Sequence, residues 1–84
     1  MTIRFYESDE TTENKVIFGN DVTKESFVGI VLDRVIGKKD IVYIGERNGY
    51  EIYACGLYDF FVKENEVCWG CTGIPEGKAV LSED

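Results

Sequence analysis

The dipeptide Asn48-Gly49, set inside DIVYIGERNGYEIYAC, constrains this chain more than any other feature. Asn and Gly both tolerate positive φ, which a two-residue type I′ hairpin turn demands at its two central positions, and the flanking runs are apolar and aromatic enough to be strands. A two-residue loop sets the register: Arg47 faces Tyr50, Glu46 faces Glu51, Ile44 faces Tyr53 and Val42 faces Cys55. Alternation along the strands then puts Ile41, Tyr43, Gly45, Arg47, Tyr50, Ile52 and Ala54 on one face. Val42, Ile44, Glu46, Glu51, Tyr53 and Cys55 take the other.

A second hairpin follows in LYDFFVKENEVCWGCTG, turning at Glu64-Asn65. Its register sets Tyr58 opposite Cys71, Phe60 opposite Trp69 and Val62 opposite Val67, a cross-strand ladder rich in aromatics. A short helix over residues 57–64 competes with this reading, but Gly56 and the aromatic ladder fit a pleat better. The stretch IPEG, 74–77, predicts a turn with Pro75 in its second position, and KAVLSED predicts a short edge strand with a frayed acidic tail.

The first half supplies a helix. In VTKESFVGIVLDRVIGKK, Thr23 is placed to cap the N-terminus, Val22 and Phe27 stand where a hydrophobic staple would clasp, and Gly37 is placed to close the C-terminus. Glu25 near the start, and Lys38 and Lys39 after the end, complement the dipole. The apolar stripe Phe27, Val28, Ile30, Val31, Leu32, Val35 and Ile36 is wide, which predicts a helix of about 23–36 buried along most of its girth. Ahead of it, TIRFYE and KVIFG read as short strands separated by the solvated loop ESDETTEN, and Gly19-Asn20-Asp21 ends the second. The expected architecture is one α+β domain over residues 1–84, a helix on an antiparallel sheet of about five strands built mainly from two consecutive hairpins.

Eighty-four residues suffice for one core and not for two lobes around a cleft. No apolar run reaches membrane-spanning length and MTIRFYESDE lacks the core of a secretory signal, so a cytoplasmic protein is expected. The net charge of −7 is uneven: residues 1–39 hold seven acids and six bases, residues 40–84 nine acids and three bases. That balance disfavours direct nucleic-acid binding and favours a partner with a basic surface.

Chemistry is narrowed by what is missing. Without histidine the chain lacks the usual general base at neutral pH and the triads built on it. Gly19 and Gly37 are isolated and form no phosphate loop. Cys55, Cys68 and Cys71 are an odd set with no export signal, which points to free thiols. In an extended strand Cys68 and Cys71 point to opposite faces and cannot chelate one ion together; zinc would need all three thiolates and a carboxylate such as Asp59 or Glu66. Packed structural cysteines, with no metal and no cofactor, are expected.

What remains is surface. One helix covers one face of a sheet, yet the first hairpin carries apolar or aromatic residues on both. Tyr43, Tyr50 and Ile52 are expected to form an exposed patch beside Arg47, with Glu46 and Glu51 opposed at the same turn end on the other face, a like-charge pair awaiting a cation. These six residues are the candidate partner-binding site. The expected function is a non-enzymatic, acidic protein-binding module. Its most concrete form is an inhibitor that docks on the basic, nucleic-acid-handling surface of another protein, of a phage or mobile-element type. A homodimer joined through the tyrosine face is the alternative, and a cysteine-based metal or thiol protein a lesser one.

Overall fold

The structure, a computed structural model, describes residues 1–7, 13–19, 22–37 and 40–83. The elements run β1 (Thr2–Glu7), β2 (Glu13–Phe18), α1 (Lys24–Ile36), β3 (Val42–Arg47), β4 (Tyr50–Cys55), β5 (Tyr58–Val62), β6 (Glu66–Cys71) and β7 (Ile74–Ser82). All seven strands join one antiparallel sheet in the order β2-β1-β7-β6-β5-β4-β3. The α+β class therefore holds, with seven strands in place of the expected five. The loop expected over ESDETTEN, residues 7–14, is shorter than read, since Glu7 ends β1 and Glu13 and Asn14 begin β2; residues 8–12, the Asn20-Asp21 break and the Lys38-Lys39 pair lie outside the described residues.

From β3 to β7 the chain is a continuous meander, not two separate hairpins. Asn48 (φ 54) and Gly49 (φ 84) form the expected turn, Gly56 (φ 60) begins a turn between β4 and β5, and Thr72 (φ 52) with Gly73 (φ 83) forms another between β6 and β7. Thr72 is the surprise, because a β-branched residue at positive φ is strained and does not announce a turn in sequence. Its placement moves the turn ahead of IPEG, which belongs to β7 and not to a turn of its own. Pro75 fits there because the register shifts between Trp69 and Gly70, and Pro75 stands opposite Gly70 beside that bulge.

The C-terminal segment is central, correcting the expected edge strand. β7 lies between β6 and β1, with Ile3 opposite Leu81 and Phe5 opposite Ala79. β2 and β3 are the edges. Residues 58–62 are extended, and the second hairpin has the expected register, Tyr58 with Cys71, Phe60 with Trp69 and Val62 with Val67.

Thr23 caps α1 as read: its hydroxyl accepts from the Ser26 amide at 3.1 Å, while the Ser26 hydroxyl accepts from the Thr23 amide at 2.9 Å. Val22 and Phe27, the staple pair, are both buried. Gly37 leaves the helix at φ 72 and ψ −160, its N–H donating to the Asp33 carbonyl at 2.9 Å. Only Phe27, Val31 and Ile36 are buried, with Val28, Ile30, Leu32 and Val35 packed at the margin of the core. The helix is thus sheltered along one stripe rather than most of its girth, because it has a sheet beneath it and, among the described residues, nothing above.

That stripe meets one face of the sheet. Ile3 and Phe5 of β1, Ala79 and Leu81 of β7, Val67 of β6, and Phe60 and Val62 of β5 complete the core with Val22 and the helix residues. At the rim Trp69 stands directly opposite Gly77, where a Cβ would come within 2.7 Å of the indole. The glycine makes room for the ring, which also meets Phe5 at a centroid distance of 6.3 Å.

Candidate functional site

No residue of β3 or β4 is among the buried core. Tyr53 and Cys55 of β4 reach its rim, and beyond them the hairpin extends as a wing. Val42, Tyr43 and Ile44 are 65%, 54% and 59% exposed. β3 is also an edge, hydrogen-bonded among the described strands to β4 alone.

The register near the turn is as expected, with Arg47 opposite Tyr50 and Glu46 opposite Glu51. It then shifts. Gly45 pairs with Ile52, but Tyr43 pairs with Tyr53 and Val42 with Ala54, so Ile44 is an unpaired bulge residue. The expected pairs Ile44 with Tyr53 and Val42 with Cys55 are therefore wrong. Gly45 was the available signal, since an isolated glycine inside a strand pattern often marks a bulge.

The bulge divides the candidate site. Tyr43 moves to the face that bears α1, where its ring meets Tyr53 edge-on at 5.3 Å. Glu46 and Glu51 share that face, since Glu51 stands opposite the core residue Val62. Arg47, Tyr50 and Ile52 point to the open face. Tyr43 and Tyr50 thus cannot form one patch, and the six residues make two surfaces on either side of one wing. On the α1 side, the Tyr53 hydroxyl donates to Glu51 at 3.4 Å. Its own acidity is weakened, first by burial and then by the negative charge of Glu51. Among the described residues, no cation pairs with Glu46 or Glu51.

On the open face sequence reasoning missed the neighbours supplied by β5. Ile52 stands opposite Phe61, and Phe61 opposite Cys68. Tyr50 and Phe61 meet edge-on at 6.4 Å, and the Lys63 ammonium lies 4.2 Å above the Tyr50 ring. Alternation from the buried Phe60 and Val62 placed Phe61 and Lys63 here in principle. What was lacking was the pairing of β4 with β5.

The cysteines fall as their alternation requires. Cys71 and Cys55 flank Tyr58 on the α1 face, and Cys68 points to the open face opposite Lys78. All three are free thiols. Cys68 donates to the Glu66 carboxylate at 3.0 Å, and burial, reinforced by that bond and that charge, pushes its thiol up to about 12. A thiol so protonated at neutral pH is a poor nucleophile and a poor ligand. Among the described residues, no group of three or more acidic or cysteine side chains is arranged to hold a metal ion.

No described helix is long and apolar enough to cross a membrane. Comparison of the chain with protein-family models, with curated proteins and with solved structures finds no match.

Proposed function

We propose that this protein is a non-enzymatic binding module that engages a partner protein through the β3–β4 wing. The observation that carries this reading is that the wing gives no side chain to the buried core while exposing Val42, Tyr43 and Ile44, with Tyr43 on the same face as the opposed carboxylates of Glu46 and Glu51. Exposed apolar and aromatic groups beside unpaired charge are what a small interface needs: contact area from the rings, orientation from the charge. Two carboxylates held face to face repel each other, and a cation from outside relieves that repulsion. The partner surface is accordingly basic, and an inhibitor laid over the nucleic-acid-handling surface of another protein, as phage and mobile-element proteins can be, is the most concrete form. Tyr43, Glu46 and Glu51 make the contact on the α1 side; Arg47, Tyr50 and Ile52 lie on the reverse of the wing.

Affinity capture from the native host, with a purified pairwise measurement on whatever is recovered, tests this. Glu46→Lys with Glu51→Lys should lower affinity at least tenfold and leave the thermal melt nearly unchanged. Undiminished affinity in that variant rules the wing out as the docking edge.

A second reading is favoured by the edge position of β3, whose outer backbone groups have no partner among the described strands. Two copies could join edge to edge there as a homodimer. Mass in solution across a concentration series separates the two: a monomer at every concentration leaves only the heterologous partner.

A further inference from the structure

Among its described side chains, the open face of the sheet, opposite α1, carries more bases than acids. Its central row runs Ile52, Phe61, Cys68, Lys78 and Tyr6 across β4, β5, β6, β7 and β1, each residue directly opposite the next. The neighbouring row holds Arg47, Tyr50, Lys63, Glu66, Val80 and Arg4. Among the described side chains of this face Arg4, Arg47, Lys63 and Lys78 are basic, while Asp59 and Glu66 are acidic. Glu66 is engaged by the Cys68 thiol at 3.0 Å and, at the long limit of 3.5 Å, by the Tyr50 hydroxyl. Among the described residues no carboxylate pairs with Arg47, Lys63 or Lys78. Both lysines instead rest on aromatic rings, Lys63 over Tyr50 at 4.2 Å and Lys78 over Tyr6 at 5.6 Å. Of the exposed acids, Glu25, Asp33, Glu46 and Glu51 lie on the helix or on the α1 side of the wing, so the net charge of −7 does not describe this face by itself.

We propose that this open face binds single-stranded nucleic acid, with Tyr50, Phe61 and Tyr6 as stacking surfaces and Arg47, Lys63 and Lys78 as phosphate contacts. Phe61 and Tyr6 are three strands apart, about 14 Å at the usual strand spacing, so separate bases reach them. Cations alone would suit an acidic peptide equally well. Aromatic rings interleaved with cations on a sheet face that no described element covers favour nucleotides, whose bases stack while their phosphates meet the lysines. Three phosphate contacts predict a salt dependence with a log–log slope of about −2.

Fluorescence anisotropy with labelled single-stranded oligo-dT and oligo-U tests the proposal, using the full chain. Binding is expected in low salt, weakening with that slope. Lys63→Glu with Lys78→Glu should reduce affinity at least tenfold, and Tyr50→Ala or Phe61→Ala by about fivefold or more, from the usual worth of a stacked base. Each variant is checked by its thermal melt, and Lys63→Ala with Lys78→Ala replaces the charge reversal if that variant unfolds. Glu46→Lys with Glu51→Lys should not weaken oligonucleotide binding, since those residues face the other way. No signal at about 100 µM protein, the weak end of non-specific binding, overturns the proposal. So does equal binding of duplex DNA, or displacement by poly-glutamate combined with indifference to Tyr50→Ala and Phe61→Ala, which would mark a site for acidic protein segments.

Discussion

The sheet beneath α1 and the β3–β4 wing are made from the same kinds of residue and use them oppositely. Under the helix, Ile3, Phe5, Phe60, Val62, Val67, Ala79 and Leu81 are buried; in the wing Val42, Tyr43 and Ile44 keep more than half their surface in solvent. Geometry accounts for the difference. A helix of 13 residues is about 20 Å long, whereas seven strands span about 29 Å from first to last. One helix cannot shelter that sheet, so one part of the molecule carries stability and another is left in solvent.

The largest test of this division compares two aromatics of similar size. Phe60 is fully buried between Tyr53 and Trp69 beneath α1. Phe60→Ala should cost about 3–5 kcal/mol through lost burial and the cavity left behind, a large share of the stability of a domain this small. Tyr43→Ala, removing a ring that is 54% exposed, should cost under about 1 kcal/mol. Urea denaturation of both variants decides it. Equal losses would mean that the wing is part of the core after all.

The same division explains what could be read from the chain alone. Local signals were sufficient where the deciding contact is local: Thr23 and Gly37 bound the helix, and Asn48-Gly49 places a turn. The register of β5 with β6 was also legible, because alternating aromatics leave little freedom once the turn is set. The closure of β1 on β7 was not, since those strands lie at opposite ends of the sequence and no pattern in KAVLSED distinguishes a central strand from an edge one. Nor was the division of the candidate site, which depends on one unpaired residue, Ile44, reversing the face of everything before it.

A sharper probe acts where β7 enters the sheet. A Cβ at Gly70 would come within 2.7 Å of the Ile74 carbonyl oxygen, a backbone atom with little room to retreat. Gly70→Ala should destabilise by about 1–3 kcal/mol, as overpacking does. Gly29 lies inside α1, and a Cβ added there would meet nothing within 4 Å, so its replacement by Ala should stabilise by about 0.5–1 kcal/mol. Thermal melts of the pair are the measurement, and a neutral Gly70→Ala would mean that the turn is freer than its close contacts indicate.

Cys68 links stability to pH on the open face. Its thiol, raised from 9.0 to about 12, keeps its proton in the fold at pH values where the unfolded chain releases it. The native state therefore binds more protons than the unfolded state over that window, and stability falls as pH rises from about 9 toward 12. Below pH 9 the contribution is fully present. Solvent access to the half-buried thiol reduces the effect. Because tyrosines and lysines titrate in the same range, the measurement is a difference: wild type should lose more melting temperature than Cys68→Ser between pH 8 and about pH 10.5. Parallel losses in the two proteins would show that the fold does not hold the Cys68 proton.

The smallest effect bears most directly on the wing. Glu46 and Glu51 are directly opposed and both exposed, so Glu46→Lys turns a repulsive cross-strand pair into an attractive one. The fold should gain about 0.2–1 kcal/mol, diminishing as salt is added because the pair lies in water. The same change should weaken capture of a basic partner. Stability and binding would then move in opposite directions at one position, which is expected of a carboxylate that serves a partner at some cost to its own sheet. A variant that is both more stable and equally good at binding would separate the acidic pair from recognition, leaving the exposed Val42, Tyr43 and Ile44 to account for the wing alone.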